Sequence, residues 1–297
     1  MTTYDFITSN KRRSVLLITV FLAVVIGLGL LIDSYFEAGG LITLIAVGYA
    51  IFTSLIGYYN GDKVALWSSG AKAVDVQSEP YVVRMVENLC IATGSPMPNV
   101  YVIEDSAINA FATGRDPQHS SIAVTRGAIE KLENEELEGV LAHELSHIRN
   151  YDIRVMTLVI VLVGTVAIMS DMFLRLTIFG GRRRDSDRGG HPALLIIGIA
   201  LIILSPIIAK LIQLAVSRQR EYLADSSAAL ITRFPEGLAR ALQKIQADHQ
   251  PMQRQSTATA HLYIANPLAG RRMAALFSTH PPVEKRIEAL RKMSNLH

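Results

Sequence analysis

The sequence predicts a mainly α-helical membrane protein that crosses the bilayer four times and carries a small α+β domain. Four apolar runs, each of 19 residues or more, are long enough to span the roughly 30 Å hydrocarbon core as helices: residues 14–32, 41–59, 155–178 and 193–216. Half of the 297 residues are hydrophobic and the mean hydropathy is +0.29, which is more apolar than is usual for a soluble protein. Strand-like patterning is confined to the segment between the second and third runs.

The first two runs predict an N-terminal transmembrane hairpin. A basic triplet at residues 11–13 precedes the first run, and Gly39-Gly40 separates it from the second. A signal peptide is the alternative for the first run, but the run is longer than the apolar part of a typical signal peptide and no clear small-residue cleavage site follows it. Because basic residues beside a membrane helix favour the cytoplasmic side, we expect the N terminus and the chain after Tyr59 to be cytoplasmic.

The segment between this hairpin and the third run predicts a soluble α+β unit. A helix should begin at Pro80, since proline is favoured in a first turn, and end at Gly94, since glycine is a favoured stop. β-branched residues divided by turn residues predict three short strands, at residues 99–104, 108–114 and 120–125, and a helical turn at 127–132 follows them. Residues 61–77 are expected to form an amphipathic connector.

The pattern His143-Glu144-x-x-His147 is the most informative stretch. Residues four apart share one face of a helix, so both imidazoles can reach one Zn²⁺ at about 2.0–2.1 Å. Glu144 follows the first histidine directly and suits the general base that takes a proton from the attacking water. We expect Asn134 to cap this helix at its start and Arg149 to lie in its last turn. The alternative is a surface helix that happens to contain two histidines.

Glu221 and Asp225, also four apart, follow the fourth apolar run. Glu221 can be the third ligand of one zinc ion per chain, which leaves a fourth position open as catalytic zinc sites require. Asp225 suits a carboxylate that accepts the other N–H of a ligating histidine. The alternative is an ordinary charged helix face. Cys90 is the only cysteine, so histidine and carboxylate must hold the metal, as in a zincin-like domain of the HExxH gluzincin type.

The third and fourth runs predict a second transmembrane hairpin. Their alternative is a pair of buried helices in a large soluble core. The loop at residues 180–190 carries four arginines, which opposes the positive-inside tendency if the hairpin spans. His147 and Glu221 must lie on one side of the membrane, so the hairpin crosses it twice or not at all, and we expect two crossings. Both ligands should then lie within roughly 12 Å of the hydrocarbon edge.

With both motifs and the four runs in this order, the sequence resembles the HtpX-type membrane zinc metallopeptidases, which are kin of the CAAX prenyl proteases. The resemblance covers nearly the whole chain and includes the stretches at residues 109–114 and 279–286. It implies a bacterial inner-membrane endopeptidase, zinc-dependent and facing the cytoplasm, that acts on misfolded or damaged membrane proteins. By this resemblance His143, His147 and Glu221 are the metal ligands and Glu144 is the base.

Two further stretches take roles from the resemblance together with their chemistry. The segment Asn109, Ala110, Phe111 and Ala112 looks like an edge strand that holds an extended peptide by main-chain hydrogen bonds, although it also suits a plain sheet strand. His280 and Arg286 can supply positive charge to a tetrahedral oxyanion. The alternative is a structural turn in which Arg286 pairs with a carboxylate.

These interpretations divide the chain into four segments: an N-terminal hairpin (1–60), a catalytic segment with the HExxH helix (61–154), a second hairpin (155–216) and a catalytic segment with the third ligand (217–297). The expected partners are the lipid bilayer and membrane-protein or unfolded polypeptide substrates. A net charge of +3 is too small to imply nucleic-acid binding. Two other functions stay open: a dedicated processing peptidase for one membrane substrate, and a non-catalytic membrane scaffold or chaperone. The sequence predicts no oligomeric state.

Overall fold

Helices and a small four-stranded sheet make up the part of the chain that the computed structural model describes, residues 3–165, 218–248, 250–254, 259–265 and 281–294. The predicted mainly α-helical architecture with a small sheet is confirmed. The helices are α1 (Thr3–Phe36), α2 (Leu41–Ser69), α3 (Pro80–Thr93), α4 (Arg126–Lys131), α5 (Asn134–Arg149), α6 (152–165), α7 (Arg218–Thr232), α8 (Pro235–Ala247) and α9 (Val283–Ser294). The strands are β1 (Lys72–Val74), β2 (Asn99–Ile103), β3 (Ala110–Asp116) and β4 (His119–Thr125). The fourth apolar run, the arginine-rich loop and the later part of the third run lie outside the described residues.

Helices α1 and α2 form the predicted N-terminal hairpin. Both are long and apolar enough to cross a membrane, with mean hydropathies of 2.4 over Ile7–Leu30 and 1.9 over Leu41–Ser69. Only 33% and 22% of their apolar windows are buried, whereas a core helix of a soluble protein is mostly buried. Large apolar side chains such as Leu16, Leu44 and Phe52 are exposed along them. Apolar surface of this extent, exposed along the two described helices, is suited to lipid contact.

Helix α2 continues ten residues beyond the apolar run that predicted it, and the expected connector at 61–77 is wrong. Gly70, at a positive φ of 73°, ends the helix by donating its N–H to Trp67 O. Three residues of the supposed connector form β1, which pairs antiparallel with β2. A strand of three residues has too short a pattern to be recognised, and it is stabilised by the neighbouring strand rather than by its own sequence.

The sheet has the order β1-β2-β4-β3, with β2 and β4 parallel and the other two pairs antiparallel. The three predicted strands and the helix between Pro80 and Gly94 are confirmed, with differences of about two residues at some ends. Strand β3 forms one edge of the sheet and packs against α5. This arrangement places the main chain of β3 beside the histidines of α5.

Helix α6, the described start of the third apolar run, packs against both helices of the hairpin. Val155, Leu158, Val159 and Leu162 form one buried cluster with Leu17, Phe21, Val25 and Leu28 of α1. On α2, glycines four residues apart allow close approach: a Cβ at Gly57 would lie 3.1 Å from Val161 Cβ, and one at Gly61 2.7 Å from Thr157 Cγ2. Small residues at this spacing are typical of closely packed membrane helices.

The metal-motif helix α5 is buried among α3, α7, α8 and β3. Its N-cap is Glu133 rather than the expected Asn134. Glu133 and Glu136 form a capping box, in which the Glu133 N–H donates to Glu136 Oε2 at 2.8 Å. The carboxylate at residue 133 thus performs the role that the sequence analysis assigned to the asparagine one position later.

Candidate active site

The two histidines of α5 face one another and meet Glu221 of α7. His143 Nε2 and His147 Nε2 are 3.2 Å apart, and the Glu221 carboxylate oxygens lie 3.8 Å and 3.6 Å from them, respectively. The ligating atoms of these three buried residues all lie within 4.8 Å of one another. Sequence reasoning predicted this trio, and the structure brings it together although Glu221 follows His147 by 74 residues.

This donor set fits a zinc ion. Two ligands about 2.0–2.1 Å from one tetrahedral metal lie about 3.4 Å apart, close to the 3.2 Å between the two imidazole nitrogens. The two nitrogen–carboxylate distances are about 0.2–0.4 Å longer than that, so a small side-chain adjustment completes the site. Two imidazoles and one carboxylate form a ligand set of catalytic zinc, with a further position for water or substrate.

Asp225 and Arg286 support His143. Asp225 Oδ1 lies 3.0 Å from His143 Nδ1, and its two oxygens accept from Arg286 Nε at 2.8 Å and Nη2 at 2.7 Å. Arg286 Nη1 also lies 3.5 Å from Glu221 Oε2. Burial alone would raise the pKa of Asp225, but Arg286 and His143 outweigh it and hold the pKa below its ordinary value.

Arg286 is therefore engaged by carboxylates, as the alternative interpretation of this residue describes. Its side chain is fully buried, and burial, which lowers the pKa, is outweighed by Asp225 and Glu221, which raise it. An arginine held by two hydrogen bonds to one carboxylate has a fixed orientation. His280, predicted to act beside it, lies outside the described residues.

His147 is supported by a residue that sequence reasoning missed. Asp152 Oδ2 lies 3.1 Å from His147 Nδ1, and both side chains are buried. Burial lowers the pKa of His147, but the hydrogen bond to Asp152 and the charge of Glu221 outweigh it, and the pKa rises to about 9. The pKa of His143 is lowered instead, first by burial. The available signal for Asp152 was an acidic residue just after the end of α5. Whether its side chain reaches His147 depends on the turn at Tyr151, where φ is +59°.

Glu144 is buried next to the histidines and to strand β3. Burial raises the pKa of its carboxyl to about 7; the charge of Glu221 adds to the effect, while His147 and the backbone N–H of Ala112 oppose it. A carboxyl group that titrates near neutrality is well matched to general-base chemistry. A nearby metal cation would lower this pKa and favour the proton-accepting form.

The predicted peptide-binding strand lies next to Glu144, and its start is already contacted by the 259–265 segment. Ala110 O accepts from Ile264 N at 3.0 Å, Asn109 Nδ2 donates to Ala265 O at 3.0 Å, and Phe111 stacks edge-on against Tyr263 with ring centroids 4.9 Å apart. A peptide that pairs with Ala110 must therefore replace Ile264.

Comparison with known proteins agrees with this geometry. Residues 76–294 match the profile described as "Peptidase family M48". This chain belongs to peptidase family M48. It is 46% identical over 294 residues to a "Protease HtpX homolog" of Tropheryma whipplei (strain Twist), covering 98% of this chain and 99% of that protein. It is 44% identical over 292 residues to a "Protease HtpX homolog" of Dictyoglomus turgidum (strain DSM 6724 / Z-1310), covering 98% and 95%.

A solved structure has a similar fold. The crystal structure of S. mikatae Ste24p superposes with a TM-score of 0.50 at 16% identity, over 92% of this chain and 62% of that one. A likeness at this identity establishes the fold alone. The predicted resemblance to HtpX-type metallopeptidases is confirmed by the family and its full-length relatives. The chain is accordingly a metallopeptidase, with a His/His/Glu cluster that can hold its metal.

Proposed function

We propose that this M48 metallopeptidase is a zinc-dependent endopeptidase of a bacterial inner membrane, with its catalytic site facing the cytoplasm. Its substrates are misfolded or damaged membrane proteins and other unfolded polypeptides. The observation that supports the proposal most directly is the cluster of ligating atoms of His143, His147 and Glu221 beside the buried carboxyl of Glu144. Among the described residues, two imidazoles and one carboxylate form this cluster, and Cys90 is buried elsewhere, in α3.

In the proposed mechanism Glu144 moves the proton. Zinc, when bound by the three ligands, supplies Lewis acidity toward the peptide carbonyl and lowers the pKa of water. The Glu144 carboxylate accepts a proton from the attacking water as the water oxygen bonds to the carbonyl carbon. Glu144 then donates that proton to the leaving amide nitrogen as the C–N bond breaks. His143 and His147 keep their orientation because Asp225 and Asp152 hold their Nδ1 atoms.

An extended peptide pairs with β3 in this proposal. Strand β3 is an edge strand, and the backbone N–H of Ala112 faces Glu144, so a peptide that adds to this edge passes beside the base. Pairing begins beyond Ala110, or at Ala110 once Ile264 has left. Main-chain pairing has little dependence on side-chain identity, which suits unfolded substrates of varied sequence.

The membrane setting is proposed from the apolar helices. Helices α1 and α2 expose apolar faces, and α6 packs against both of them directly after the metal helix. We propose that residues 155–178 and 193–216 complete a four-helix topology. His147 lies eight residues before the third run, so the cleft is close to the cytoplasmic membrane surface and segments beside a substrate's own membrane helix reach it first.

Metal content and cleavage of casein by the detergent-purified protein test the catalytic proposal. We expect one zinc per chain in the wild type and little in His143→Ala, His147→Ala or Glu221→Ala, each of which should also lose proteolysis. Normal zinc content in Glu221→Ala would show that the third ligand is elsewhere. An in-cell survey of cleaved proteins separates a broad endopeptidase, which leaves many products, from a dedicated processing enzyme, which leaves one.

Two experiments test the membrane proposal. A cleavable sequence placed on flexible tethers of increasing length should be cut less efficiently as it moves away from the substrate's membrane helix; equal cutting at all lengths would contradict guidance by the bilayer. Cysteine labelling should find residue 120 on the cytoplasmic side and residue 187 on the other. If both residues are labelled from one side, the third and fourth runs do not span.

A further inference from the structure

Helix α1 of the membrane hairpin reaches the support of a metal ligand. Asn10, in the third turn of α1, is 2% exposed, and its Nδ2 donates to Asp152 Oδ1 at 2.7 Å. The same nitrogen donates to Asn150 O at 2.9 Å. Asp152 in turn uses its second oxygen, Oδ2, to contact His147 Nδ1 at 3.1 Å. A continuous set of polar contacts therefore runs from α1 to a predicted zinc ligand.

The orientation of the Asn10 amide follows from its neighbours. Both groups that face its nitrogen, a carbonyl oxygen and a carboxylate oxygen, are acceptors, and an amide NH₂ has two hydrogens to donate. The flipped amide would bring its own oxygen against both acceptors, so the donor arrangement is the favoured one. Asn10 thus binds the short segment after α5, which carries Asn150 and Asp152, through two hydrogen bonds.

Asp152 depends on such partners because it is buried. Its exposed fraction is 1%, and a buried carboxylate is costly unless hydrogen bonds or charges compensate for its lost hydration. Asn10 donates to Oδ1, and Arg220 Nε lies 3.5 Å from the same oxygen. The carboxylate is thereby fixed with Oδ2 toward His147. A histidine whose Nδ1–H donates to a fixed carboxylate presents Nε2 to a metal in one orientation.

We propose that Asn10 is a positioning residue of the metal site: through Asp152 it holds the imidazole of His147, so the affinity for metal depends on the first membrane helix. The proposal rests on the metal role of His147 and not on the identity of the substrate. It gives the two histidines separate supports. His143 is held by Asp225 from the second catalytic segment, and His147 by Asp152 together with the membrane hairpin.

Metal affinity of the full-length protein in detergent tests the proposal. The dissociation constants for Zn²⁺, from competition with a chelator, and the visible absorption spectrum of the Co²⁺ form are measured for the wild type, Asn10→Ala, Asp152→Ala and the double variant. Thr8→Ala, an exposed position on the same helix, is the matched control. We expect Asp152→Ala to weaken metal binding about 10–100-fold and Asn10→Ala about 10-fold, with a changed Co²⁺ spectrum in both.

The double variant decides whether Asn10 acts through Asp152. If it does, Asn10→Ala should change the affinity less than about twofold in the Asp152→Ala background. Independent, multiplicative effects would overturn the proposal, as would wild-type affinity and spectrum in Asn10→Ala. A merely structural role would lower the thermal midpoint of the metal-free protein and leave the affinity unaltered, which also overturns it.

Two checks keep the test decisive. If Asn10→Ala does not yield folded protein, Asn10→Ser replaces it; the serine retains one donor and should give an affinity between those of the alanine variant and the wild type. His147→Ala distinguishes a failure of the proposed role of Asn10 from a failure of the metal site. Loss of metal in His147→Ala with normal binding in the Asn10 variant overturns the role of Asn10 alone, whereas unchanged binding in His147→Ala overturns the metal site itself.

Discussion

Replacing Arg286 with leucine should destabilise the metal-free protein strongly. The guanidinium donates two hydrogen bonds of 2.8 Å and 2.7 Å to Asp225 and lies 3.5 Å from Glu221, and all three side chains are buried. Its removal takes two hydrogen bonds and a cation from the buried Asp225, and it removes a positive charge that lies 3.5 Å from Glu221. Breaking a buried ion pair by removing one partner typically costs about 3–5 kcal/mol of unfolding free energy.

The expected size of the effect can be compared with that of an exposed pair on the same helix. Arg291 contacts Glu236 at 3.2 Å with 46% of its side chain exposed, so Arg291→Leu should cost about 0–1 kcal/mol. At roughly 2–4 °C per kcal/mol, Arg286→Leu should lower the unfolding midpoint by about 6–20 °C and Arg291→Leu by about 4 °C at most. The measurement is thermal unfolding followed by circular dichroism, in detergent and excess chelator.

The double variant Arg286→Leu/Asp225→Leu shows whether the cost arises from the uncompensated charge. Removing both partners leaves fewer unbalanced charges, so the double variant should be more stable than the sum of the two single changes predicts, by about 2–3 kcal/mol. Additive costs, or an Arg286→Leu midpoint as mild as that of Arg291→Leu, would refute this account of the buried pair.

Three further predictions concern the metal site and the helix packing. Because the pKa of His147 in the metal-free protein is about 9 and metal binds the unprotonated ring, apparent zinc affinity should rise by about 50-fold between pH 7 and pH 9. A flat profile in chelator titrations would contradict the raised pKa. Asp225→Asn should weaken zinc binding about 10–100-fold, and a loss as complete as that of a ligand variant would make Asp225 a ligand. Gly61→Val should lower the free energy of unfolding by about 1–3 kcal/mol, because its Cβ would lie 2.7 Å from Thr157 Cγ2. Gly48→Val on the same helix is the control and should have no such effect, because a Cβ there would have nothing within 4 Å. Equal thermal midpoints for the two variants would contradict close packing of α2 on α6.

The parts of the site that the sequence predicts are those encoded by local spacing. His143 and His147, like Glu221 and Asp225, are four residues apart, and this spacing alone puts each pair on one helical face. The strands around the site follow from β-branched residues between turns, and the apolar hairpin follows from run length. These features can be predicted because each depends on a short segment of sequence and not on the rest of the fold.

The parts that sequence reasoning missed depend on contacts between distant segments. Asn10 and Asp152 are 142 residues apart, and neither stands in a recognisable motif. Their contact requires α1 to pack on α6 and the chain to turn at Tyr151, where a non-glycine residue adopts a positive φ. The partner of Arg286 was likewise left open between an oxyanion and a carboxylate, since charge alone does not specify which group a guanidinium contacts.

The zinc content and casein cleavage of Glu144→Gln, measured beside the wild type, test whether Glu144 is the base of a zinc-dependent peptidase. Glu144 is buried at the His/His/Glu cluster but is not one of its three members, and glutamine keeps its size while it removes the proton-accepting oxygen. We predict one zinc per chain in both proteins and loss of cleavage by at least about 100-fold in the variant. Cleavage at the wild-type rate would show that Glu144 is not the base, and loss of zinc would show that it supports the metal instead.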